Sequence, residues 1–349
     1  MSDGKGMDRA QSKRILITGG AGFIGSHLAE FLVGQGEQVT VIDDLSTGRY
    51  SNIGHLENRK EFQLIIDTVL NESLMERLIM EHDLIFHLAS AVGVQLILDQ
   101  PVKTIETIVG GTHAVLRFCA RYRKRVLITS TSEVYGKGVA IPFQEEDDVL
   151  TGATSRHRWA YACAKSLDEF LALAHWRESR LPVVIVRLFN TVGPRQTGQY
   201  GMVVPRFVEA ALRGHSLLVY GDGQQTRCFC HVHDIVTGLV KVLQTPACFG
   251  QVINLGSENE VTINELAETI VNLLGSQSKI HHIPYSEAYG EGFEDMRRRV
   301  PCLDKASALI NFRPARSLSD ILTDIADDLR RSDGACAGAA AAAGRNPAG

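Results

Sequence analysis

The stretch that decides the fold is Arg14–Gly25, which reads RILITGGAGFIG. It opens with a short apolar run that leads directly into glycines, and Phe23–Gly34 then carries apolar residues at helical spacing. This order predicts a strand, a tight turn and a helix. Gly19 and Gly22 permit the turn and a close approach to a pyrophosphate, and Gly25 permits the helix to pack on the strand. Because a helix N-terminus presents oriented N–H groups, the stretch predicts a dinucleotide site.

Further strands follow at intervals long enough to hold a helix. The predicted strands are Arg14–Thr18, Gln38–Asp43, Leu84–Ala89, Arg125–Thr129 and Val183–Leu188, and the predicted later helices are Trp159–Arg177, Val203–Arg213 and Ile263–Leu274. Strands that alternate with helices imply a parallel sheet covered on both faces. The predicted fold class is therefore α/β, a Rossmann-like doubly wound parallel sheet with a smaller α/β lobe.

The pattern of the chain changes after Phe189 to glycine-rich loops, short strands and amphipathic helices. We therefore predict a dinucleotide-binding domain over residues 14–189 and a substrate-binding lobe over residues 190–331, with some crossing of the chain between them. Residues 1–13 are polar, and we expect them to be flexible. Residues 332–349 are rich in alanine and glycine without an amphipathic pattern, which predicts a disordered tail.

The composition excludes several classes of protein. The 36 basic and 40 acidic residues give a formal net charge of -4, so no global cationic field attracts nucleic acid or anionic lipid. Apolar runs such as Pro182–Phe189 are far shorter than the roughly 20 residues of a membrane helix, and the N-terminus lacks the apolar core of a signal peptide. The seven cysteines lack framework spacing, which suits a reducing compartment and predicts a cytoplasmic protein.

One short segment contains residue types that bind zinc. These residues are Cys228, Cys230, His231 and His233. Alternate residues of a strand point to opposite faces, so this spacing does not gather the ligands at one point. We expect no metal.

Acidic residues at the ends of two predicted strands indicate the adenosine half of the cofactor. Asp43 ends the second strand, where a carboxylate binds the ribose hydroxyls and repels a 2′-phosphate, which favours NAD over NADP. Asp67 and Thr68, which end the apolar run Phe62–Ile66, are candidates for the adenine edge. The remaining predicted cofactor contacts follow the glycine turn or end a strand, and they are Phe23, Ile24, Leu88 and Ala89.

A phenol and an ammonium lie four residues apart in Tyr161-Ala-Cys-Ala-Lys165, hence on one face of a predicted helix. The nearby cation and the positive charge of a nicotinamide would lower the pKa of Tyr161. The phenolate then accepts a proton from a substrate hydroxyl as hydride leaves for NAD. The pair therefore predicts the base of a dehydrogenase.

Together with the segment Ser130–Gly136 (STSEVYG) and the glycine turn, this pair resembles the extended short-chain dehydrogenase/reductase family. The resemblance covers about residues 14–330, and members of the family act on nucleotide-sugars. It implies that Thr131 hydrogen-bonds the reacting hydroxyl, that Tyr161 is the base, and that Lys165 holds the cofactor ribose and tunes the tyrosine. Ile108 stands where the family often has an asparagine.

The second lobe resembles the nucleotide-binding elements of the same family. The resemblance implies that Asn190 and Arg227 reach the substrate pyrophosphate, for which an arginine fork is suited. It also implies that Leu218 and Tyr220 flank a uracil and that Val204 belongs to the same substrate site. The expected substrate is therefore a UDP-sugar.

The quaternary structure is also implied by the resemblance. The helices over Val102–Arg121 and Trp159–Arg177 resemble those of a four-helix dimer interface in the family. The chain is accordingly expected to form a homodimer.

Oxidation at C4 makes the neighbouring sugar atoms reactive, and the members of the family diverge at that point. A C4 epimerase returns hydride to the other face, and a 4,6-dehydratase removes the C5 proton and expels the C6 hydroxyl. A UDP-glucuronate decarboxylase loses carbon dioxide, because a C4 ketone makes the C6 carboxylate a β-keto acid. Epimerisation needs no further acid or base, so Glu133 favours additional chemistry.

Two short segments favour decarboxylation. Thr131-Ser132-Glu133 resembles the decarboxylases and also the GDP-mannose dehydratases. Arg299 stands two residues before a proline, as in the decarboxylases, where an arginine binds the substrate carboxylate and stabilises the enolate. Glu133, or a water that it orients, would help reprotonation at C5. Of the basic run Arg297–Arg299, we expect the other two arginines to be solvated.

We therefore expect decarboxylation of UDP-glucuronate to a UDP-4-keto-pentose or UDP-xylose. Epimerisation at C4 is the runner-up, and 4,6-dehydration is a weaker alternative. A non-enzymatic NAD sensor with the same fold is a further alternative, but such a sensor would lack the tyrosine or the lysine, and Tyr161 and Lys165 are both present.

Overall fold

The computed structural model describes residues 12–90, 100–138, 140–198, 202–285, 287 and 296–343. The strands are β1 (Arg14–Thr18), β2 (Gln38–Asp43), β3 (Phe62–Ile66), β4 (Leu84–His87), β5 (Arg125–Thr131), β6 (Val183–Leu188), β7 (Thr191–Val192), β8 (Leu217–Tyr220), β9 (Thr226–Cys228), β10 (Cys230–His231), β11 (Val252–Leu255), β12 (Glu260–Thr262) and β13 (Ile280–Ile283). The helices are α1 (Phe23–Gly34), α2 (Glu72–Glu81), α3 (Pro101–Tyr122), α4 (Ala160–Ser179), α5 (Val203–Leu212), α6 (Val232–Gln244), α7 (Ile263–Leu274), α8 (Asp304–Ile310) and α9 (Leu318–Ala343).

A parallel sheet of seven strands forms the centre of the fold, in the order β3-β2-β1-β4-β5-β6-β11. In the registers on either side of β1, Ile15 pairs with Val39 of β2 and Leu16 pairs with Ile85 of β4. The strand order reverses between β1 and β4, and a crevice at such a switch point is where doubly wound sheets bind ligands. The predicted fold class is confirmed, and the glycine turn lies at this point of the sheet.

Apolar side chains alternate along β1 and so contribute to two separate cores. Ile15 and Ile17 belong to a core that also contains residues of α1, α6 and α8, whereas Leu16 belongs to one that contains residues of α2, α3 and α4. Period-two alternation explains this division, because successive strand residues point to opposite faces. Helices therefore cover both faces of the sheet, as the alternation of strands and helices predicts.

A third core holds the smaller lobe together. It packs α5, α7 and α9 around β8 through residues such as Phe207, Val219, Leu266 and Leu322. The chain also crosses back to the large sheet, because β11 pairs in parallel with β6. In addition, Ile235 and Leu239 of α6 pack in the same core as Leu28 of α1. The substrate lobe is thus not one continuous segment of the chain.

The C-terminal helix corrects one expectation. Helix α9 runs to Ala343, so residues 332–343 are helical where the sequence predicts a disordered tail. Alanine has the highest intrinsic helix propensity, and Ile321 and Ile325 fix the first turns of this helix in the core of the lobe. Residues 1–11 and 344–349, which include most of the predicted flexible terminus and the end of the tail, lie outside the described residues. Within the described part of the chain, no helix has the length and apolar character needed to cross a membrane.

Candidate active site

A cavity of ≈ 690 Å³ lies between the sheet and the smaller lobe, at the carboxyl ends of the strands. The predicted site residues that line it are Gly19, Gly22, Phe23, Ile24, Gly25, Asp43, Asp67, Thr68, Leu88, Ala89, Thr131, Ser132, Glu133, Tyr161, Lys165, Asn190, Val204, Tyr220, Arg227 and Arg299. The fold therefore brings together residues that are up to 280 positions apart in the sequence, from Gly19 to Arg299. A site with separate cofactor and substrate halves is formed.

Leu218 is the predicted site residue that does not line this cavity. It lies on β8 between Leu217 and Val219, which are buried, and its own side chain is exposed. Tyr220, two residues later on the same face of β8, lines the cavity instead. The prediction of a Leu218 side-chain contact is therefore corrected, although its carbonyl oxygen accepts a hydrogen bond of 3.0 Å from Arg206 Nη2.

The glycine turn has the shape of a cradle for a pyrophosphate. Gly19 has a φ of +72°, and a Cβ added there would lie 2.7 Å from the backbone nitrogen of Ala89. A Cβ on Gly25 would lie 2.2 Å from the carbonyl oxygen of Gly19. Gly22 is the N-cap of α1, so the first N–H groups of that helix open onto the cavity beside a residue without a side chain. These features fit a dinucleotide.

Asp43 is held firmly at the end of β2. Its Oδ2 accepts a hydrogen bond of 2.9 Å from the backbone nitrogen of Ala21, and its Oδ1 accepts one of 2.9 Å from that of Leu45. Burial raises the pKa of Asp43, while those two N–H groups act in the opposite direction. Each carboxylate oxygen has a second lone pair, which suits the adenosine ribose hydroxyls. Asp67 is similarly fixed, with Oδ2 2.9 Å from Asn71 Nδ2.

The proposed base lies on the face of α4 that meets the end of β5. Tyr161 and Lys165 are both buried, and they are one helical turn apart. Thr131 ends β5, and its hydroxyl accepts a hydrogen bond of 3.2 Å from the backbone nitrogen of Glu133. Lys165 Nζ donates a hydrogen bond of 2.9 Å to Asp168 Oδ2. The pair predicted from the sequence is thus assembled beside the end of the strand.

The electrostatic setting of Tyr161 differs from the expected one. Burial raises the pKa of Tyr161 above its ordinary range, and the Glu133 carboxylate raises it further. The hydroxyls of Ser90 and Thr131 act in the opposite direction. In the protein chain alone the pKa of Tyr161 is therefore raised, and its lowering by a bound nicotinamide stays a prediction. Asp168 neutralises the charge of Lys165, and the other expected cation, the nicotinamide, belongs to the cofactor.

Glu133 lies between two arginines. It forms an ion pair with Arg299 Nη1, and its Oε2 lies 3.6 Å from Arg158 Nη2. Arg299 is buried, whereas Arg298 is exposed and pairs with Glu260 over 2.8 Å. The structure therefore separates the arginine predicted for the site from its solvated neighbour. Two guanidinium groups and one carboxylate therefore meet at the end of the cavity beside Tyr161.

Sequence reasoning missed two residues that line the cavity and a third that supports one of its lining residues. Arg158 precedes Tyr161 by three positions, and Ser90 follows β4; both line the cavity. Asp168, three positions after Lys165, binds its ammonium. Helical spacing gave a signal for Asp168, since residues three apart on a helix share a face. Arg158 lies in the 3-10 turn before α4, outside the predicted helix. No local pattern indicated Ser90.

The smaller lobe supplies further polar groups and an aromatic ring. Arg227 is buried, and its Nη1 donates to the carbonyl oxygens of Thr226 over 2.7 Å and Met296 over 3.0 Å. Asn190 Nδ2 donates to the carbonyl oxygen of Cys228 over 3.1 Å. The guanidinium of Arg206, which the sequence reading also missed, lies 4.2 Å from the centre of the Tyr220 ring. This half of the cavity has the cationic and aromatic groups that a nucleoside diphosphate requires.

The segment with Cys228, Cys230, His231 and His233, which has residue types that bind zinc, forms no metal centre. Within the described ranges, no group of three or more His, Cys, Asp or Glu residues could hold a metal ion. Burial raises the pKa values of the Cys228 and Cys230 thiols, which disfavours the thiolate form that binds metal. His231 is fully buried, with Nε2 3.2 Å from Asp324 Oδ2.

The glycine turn at the switch point, with Tyr161 and Lys165 on one helix, defines an extended short-chain dehydrogenase/reductase site. Residues 16–325 match the GDP-mannose 4,6 dehydratase family, and the chain belongs to that family. It is 45% identical to a UDP-N-acetyl-alpha-D-glucosaminuronate decarboxylase of Bacillus cytotoxicus, over 86% of this chain and 93% of that one. It is 38% identical to UDP-glucuronic acid decarboxylase 1 of Danio rerio, over 90% of this chain and 72% of that one. A solved structure of UDP-glucuronic acid 4-epimerase from Bacillus cereus, in complex with UDP-glucuronic acid and NAD, superposes with a TM-score of 0.82 at 27% identity, over 91% of this chain and 99% of that one.

Proposed function

We propose that the protein is an NAD-dependent decarboxylase of UDP-glucuronate. It oxidises C4, loses carbon dioxide from the 4-keto intermediate and yields a UDP-4-keto-pentose, or UDP-xylose when the ketone is reduced. The observation that carries this proposal is the pair of arginines around Glu133, directly beside Tyr161. Epimerisation needs no acid or base beyond Tyr161, whereas decarboxylation needs a group such as Glu133 that returns a proton to C5. The curated relatives, which are decarboxylases, support the same choice.

The residues that would hold NAD are those of the glycine turn, Asp43 and Lys165. NAD bound there would supply the hydride acceptor for C4, and its reduced form would supply the hydride if the ketone is reduced. Tyr161 takes the proton of the C4 hydroxyl, and the Thr131 hydroxyl beside it orients that group. Lys165 holds the ribose and assists deprotonation of the tyrosine. Leu88 and Ala89, beside the glycine turn, complete the wall of the cofactor half.

The second step follows from the C4 ketone. When the C5–C6 bond breaks, its electron pair forms an enolate whose charge rests on the C4 oxygen. Tyr161, which now carries the proton, and Thr131 donate hydrogen bonds to that oxygen. Arg299, with Arg158, binds the C6 carboxylate before carbon dioxide leaves. Glu133, or a water that it orients, then delivers a proton to C5.

The charge of the site also selects the substrate. Arg158 and Arg299 carry two positive charges, and Glu133 carries one negative charge. A guanidinium binds a uronate carboxylate through charge-assisted hydrogen bonds, and a neutral hexose has no carboxylate for such a contact. In the other half of the cavity, Arg227 and Asn190 bind the diphosphate, and Val204 and Tyr220 contact the uridine.

One alternative substrate has support of its own. The 45% identical relative is named for UDP-N-acetyl-alpha-D-glucosaminuronate, which differs from UDP-glucuronate at C2. Both substrates present the same C4 hydroxyl and C6 carboxylate to Tyr161 and Arg299, so the chemistry above applies to either. The relative rates of the two substrates decide which one the protein uses.

The test is incubation of the purified protein with UDP-glucuronate, UDP-N-acetylglucosaminuronate and UDP-glucose, followed by measurement of carbon dioxide and product mass. We expect release of carbon dioxide from a uronate and no reaction of UDP-glucose. Conversion of UDP-glucuronate to a product of unchanged mass would replace this proposal with C4 epimerisation. Loss of water from UDP-glucose would indicate 4,6-dehydration.

A homodimer is part of the proposal. Helices α3 and α4 pack together, and exposed Val102, Ile105, Leu167 and Phe170 lie along them. Two copies that meet through this apolar face would form a four-helix interface. Light scattering on the protein and on Phe170→Glu should give a dimer and a monomer respectively; a monomeric parent protein would contradict this.

A cytoplasmic location is also proposed, supported by six free cysteines in the described part of the chain.

A further inference from the structure

A chain of buried polar side chains lies behind Lys165 and crosses from β1 to α4. Thr18 Oγ1 lies 2.8 Å from His87 Nδ1, and His87 Nε2 lies 3.2 Å from Thr112 Oγ1. Thr112 Oγ1 donates to Asp168 Oδ2 over 2.9 Å, and Lys165 Nζ donates to the same oxygen over 2.9 Å. All five residues are at most 2% exposed. The chain therefore ends in a carboxylate that binds the active-site lysine in a dry environment.

In this series of buried side chains, each hydrogen bond is donated in the direction of Asp168. Thr112 has one hydroxyl hydrogen and gives it to Asp168, so it can only accept from His87 Nε2. His87 then has an unprotonated Nδ1, which accepts the hydroxyl hydrogen of Thr18. Thr18 in turn accepts a hydrogen bond of 3.2 Å from the backbone nitrogen of Ala89. Burial and the charge of Lys165 lower the pKa of His87 to about 3, in agreement with a neutral imidazole.

A purely structural ion pair would be expected to satisfy the carboxylate. Asp168 Oδ1 is buried, yet it has no hydrogen-bond partner among the described residues. Burial of such a pair is costly, and apolar residues of similar volume often stabilise a fold at least as well. Ile108, one turn before Thr112 on α3, packs against Tyr161 and offers no hydrogen bond. The polar support of the catalytic pair thus comes from Asp168 and Thr112.

We propose that Asp168 is a positioning residue for the dehydrogenation step, holding the ammonium of Lys165 in place as its counter-ion and directing it toward Tyr161 and the cofactor ribose. One of the three N–H bonds of Lys165 is committed to Asp168, so the other two are directed elsewhere. Thr112 and His87 fix the orientation of the carboxylate. The inference rests on the proposed function only in its first step, which decarboxylation and epimerisation share.

The charge of Asp168 also acts on Tyr161. The charged and titratable groups that surround the Lys165–Asp168 pair are His87 from β4, Tyr161 and Glu169 from α4, and Glu133 from the segment after β5. Burial and Glu133 are the larger causes that raise the pKa of Tyr161, and the negative charge of Asp168 adds to them. Removal of that charge lowers the pKa of Tyr161. Because the base must be deprotonated, the acid limb of the rate profile moves to lower pH.

The test compares Asp168→Asn and Asp168→Glu with the parent holoenzyme. Hydride transfer is followed in single turnovers by the absorbance of the reduced nicotinamide across a range of pH, and NAD affinity is measured separately by calorimetry. For Asp168→Asn we expect a plateau rate about tenfold lower, weaker NAD binding and an acid limb at lower pH. Asp168→Glu restores the charge, so its acid limb should return to the parent position. The KM for the sugar should change by less than about twofold, since Asp168 lies outside the substrate cavity.

A parent-like rate and acid limb in folded Asp168→Asn would overturn the proposal. If that variant does not fold, a comparison of Thr112→Val with Thr112→Ser tests the proposal. The valine removes the hydroxyl that donates to Asp168, and the serine keeps it. We expect hydride transfer about threefold slower in the valine variant than in the serine variant, and equal rates would overturn the proposal. The readouts separate the two claims. Reduced nicotinamide without carbon dioxide contradicts the decarboxylase alone, whereas carbon dioxide with an unmoved acid limb contradicts the role of Asp168 alone.

Discussion

Replacing Arg299 with alanine tests the role assigned to the buried arginine, and its neighbour in the sequence provides the control. Arg299 pairs with Glu133 inside the cavity, whereas Arg298 lies on the surface and pairs with Glu260. The two substitutions remove the same type of side chain from adjacent residues. Only Arg299→Ala removes a cation from the reacting end of the site.

The magnitude follows from the contact that is lost. A hydrogen bond to a charged partner contributes about 1.5–3 kcal/mol, and each 1.36 kcal/mol corresponds to a factor of ten. If Arg299 binds the C6 carboxylate, kcat/KM for UDP-glucuronate should fall about 10- to 150-fold in Arg299→Ala. For Arg298→Ala the change should be less than about twofold, because an exposed pair is screened by solvent.

The assay measures carbon dioxide release and reduced nicotinamide in the same reaction. In Arg299→Ala, kcat/KM should fall in both readouts, because the lost contact binds the substrate before either bond breaks. Thermal melting of both variants controls for folding. The reasoning would be refuted if both variants released carbon dioxide at the same rate.

Three further predictions test other parts of the site. Tyr161→Phe should lower turnover by about 100-fold or more while NAD remains bound, as checked by calorimetry; unchanged turnover would exclude the tyrosine as base. Gly25→Ala should abolish NAD binding, because its Cβ would lie 2.2 Å from the Gly19 carbonyl oxygen; retained affinity would contradict the cradle. Burial lowers the pKa of His87 to about 3 and that of His27 to about 4. Between these pH values and about pH 6.5, each histidine is therefore protonated in the unfolded chain but not in the native chain. The free energy of unfolding in urea should therefore fall on acidification, by roughly 2 kcal/mol per histidine from pH 7 to pH 5, and a constant value would contradict the burial of these rings as neutral groups.

Much of the cofactor half could be predicted because its signals are local. The glycine turn, the strand before it and the helix after it occupy one continuous stretch, and backbone sterics alone restrict the choice of residues there. The pair Tyr161 and Lys165 is local in the same sense, since both lie on one helix. The ends of strands were predicted less accurately. Strand β5 extends two residues beyond its predicted end, to Thr131, because its pairing with β6 continues as far as Leu188.

The contacts that could not be predicted join segments far apart in the sequence. The pairing of Glu133 with Arg158 and Arg299, and the chain from Thr18 through His87 and Thr112, depend on how helices and strands pack. A sequence gives the residue types but not these partners. The predicted Leu218 contact failed for a related reason, because the sequence does not show how far along a strand the cavity extends. Tyr220 lines the cavity, whereas Leu218, on the same face of β8, does not.

Decarboxylation after oxidation at C4 is tested most directly with UDP-glucuronate that carries deuterium at C4. Mass spectrometry of the products, together with the carbon dioxide released, follows both bonds at once. The account predicts equal amounts of carbon dioxide and a UDP-pentose product, a slower reaction than with unlabelled substrate, and deuterium transferred to the nicotinamide or returned to C4 of UDP-xylose. A UDP-uronate of unchanged mass as the product, with no carbon dioxide, would contradict it.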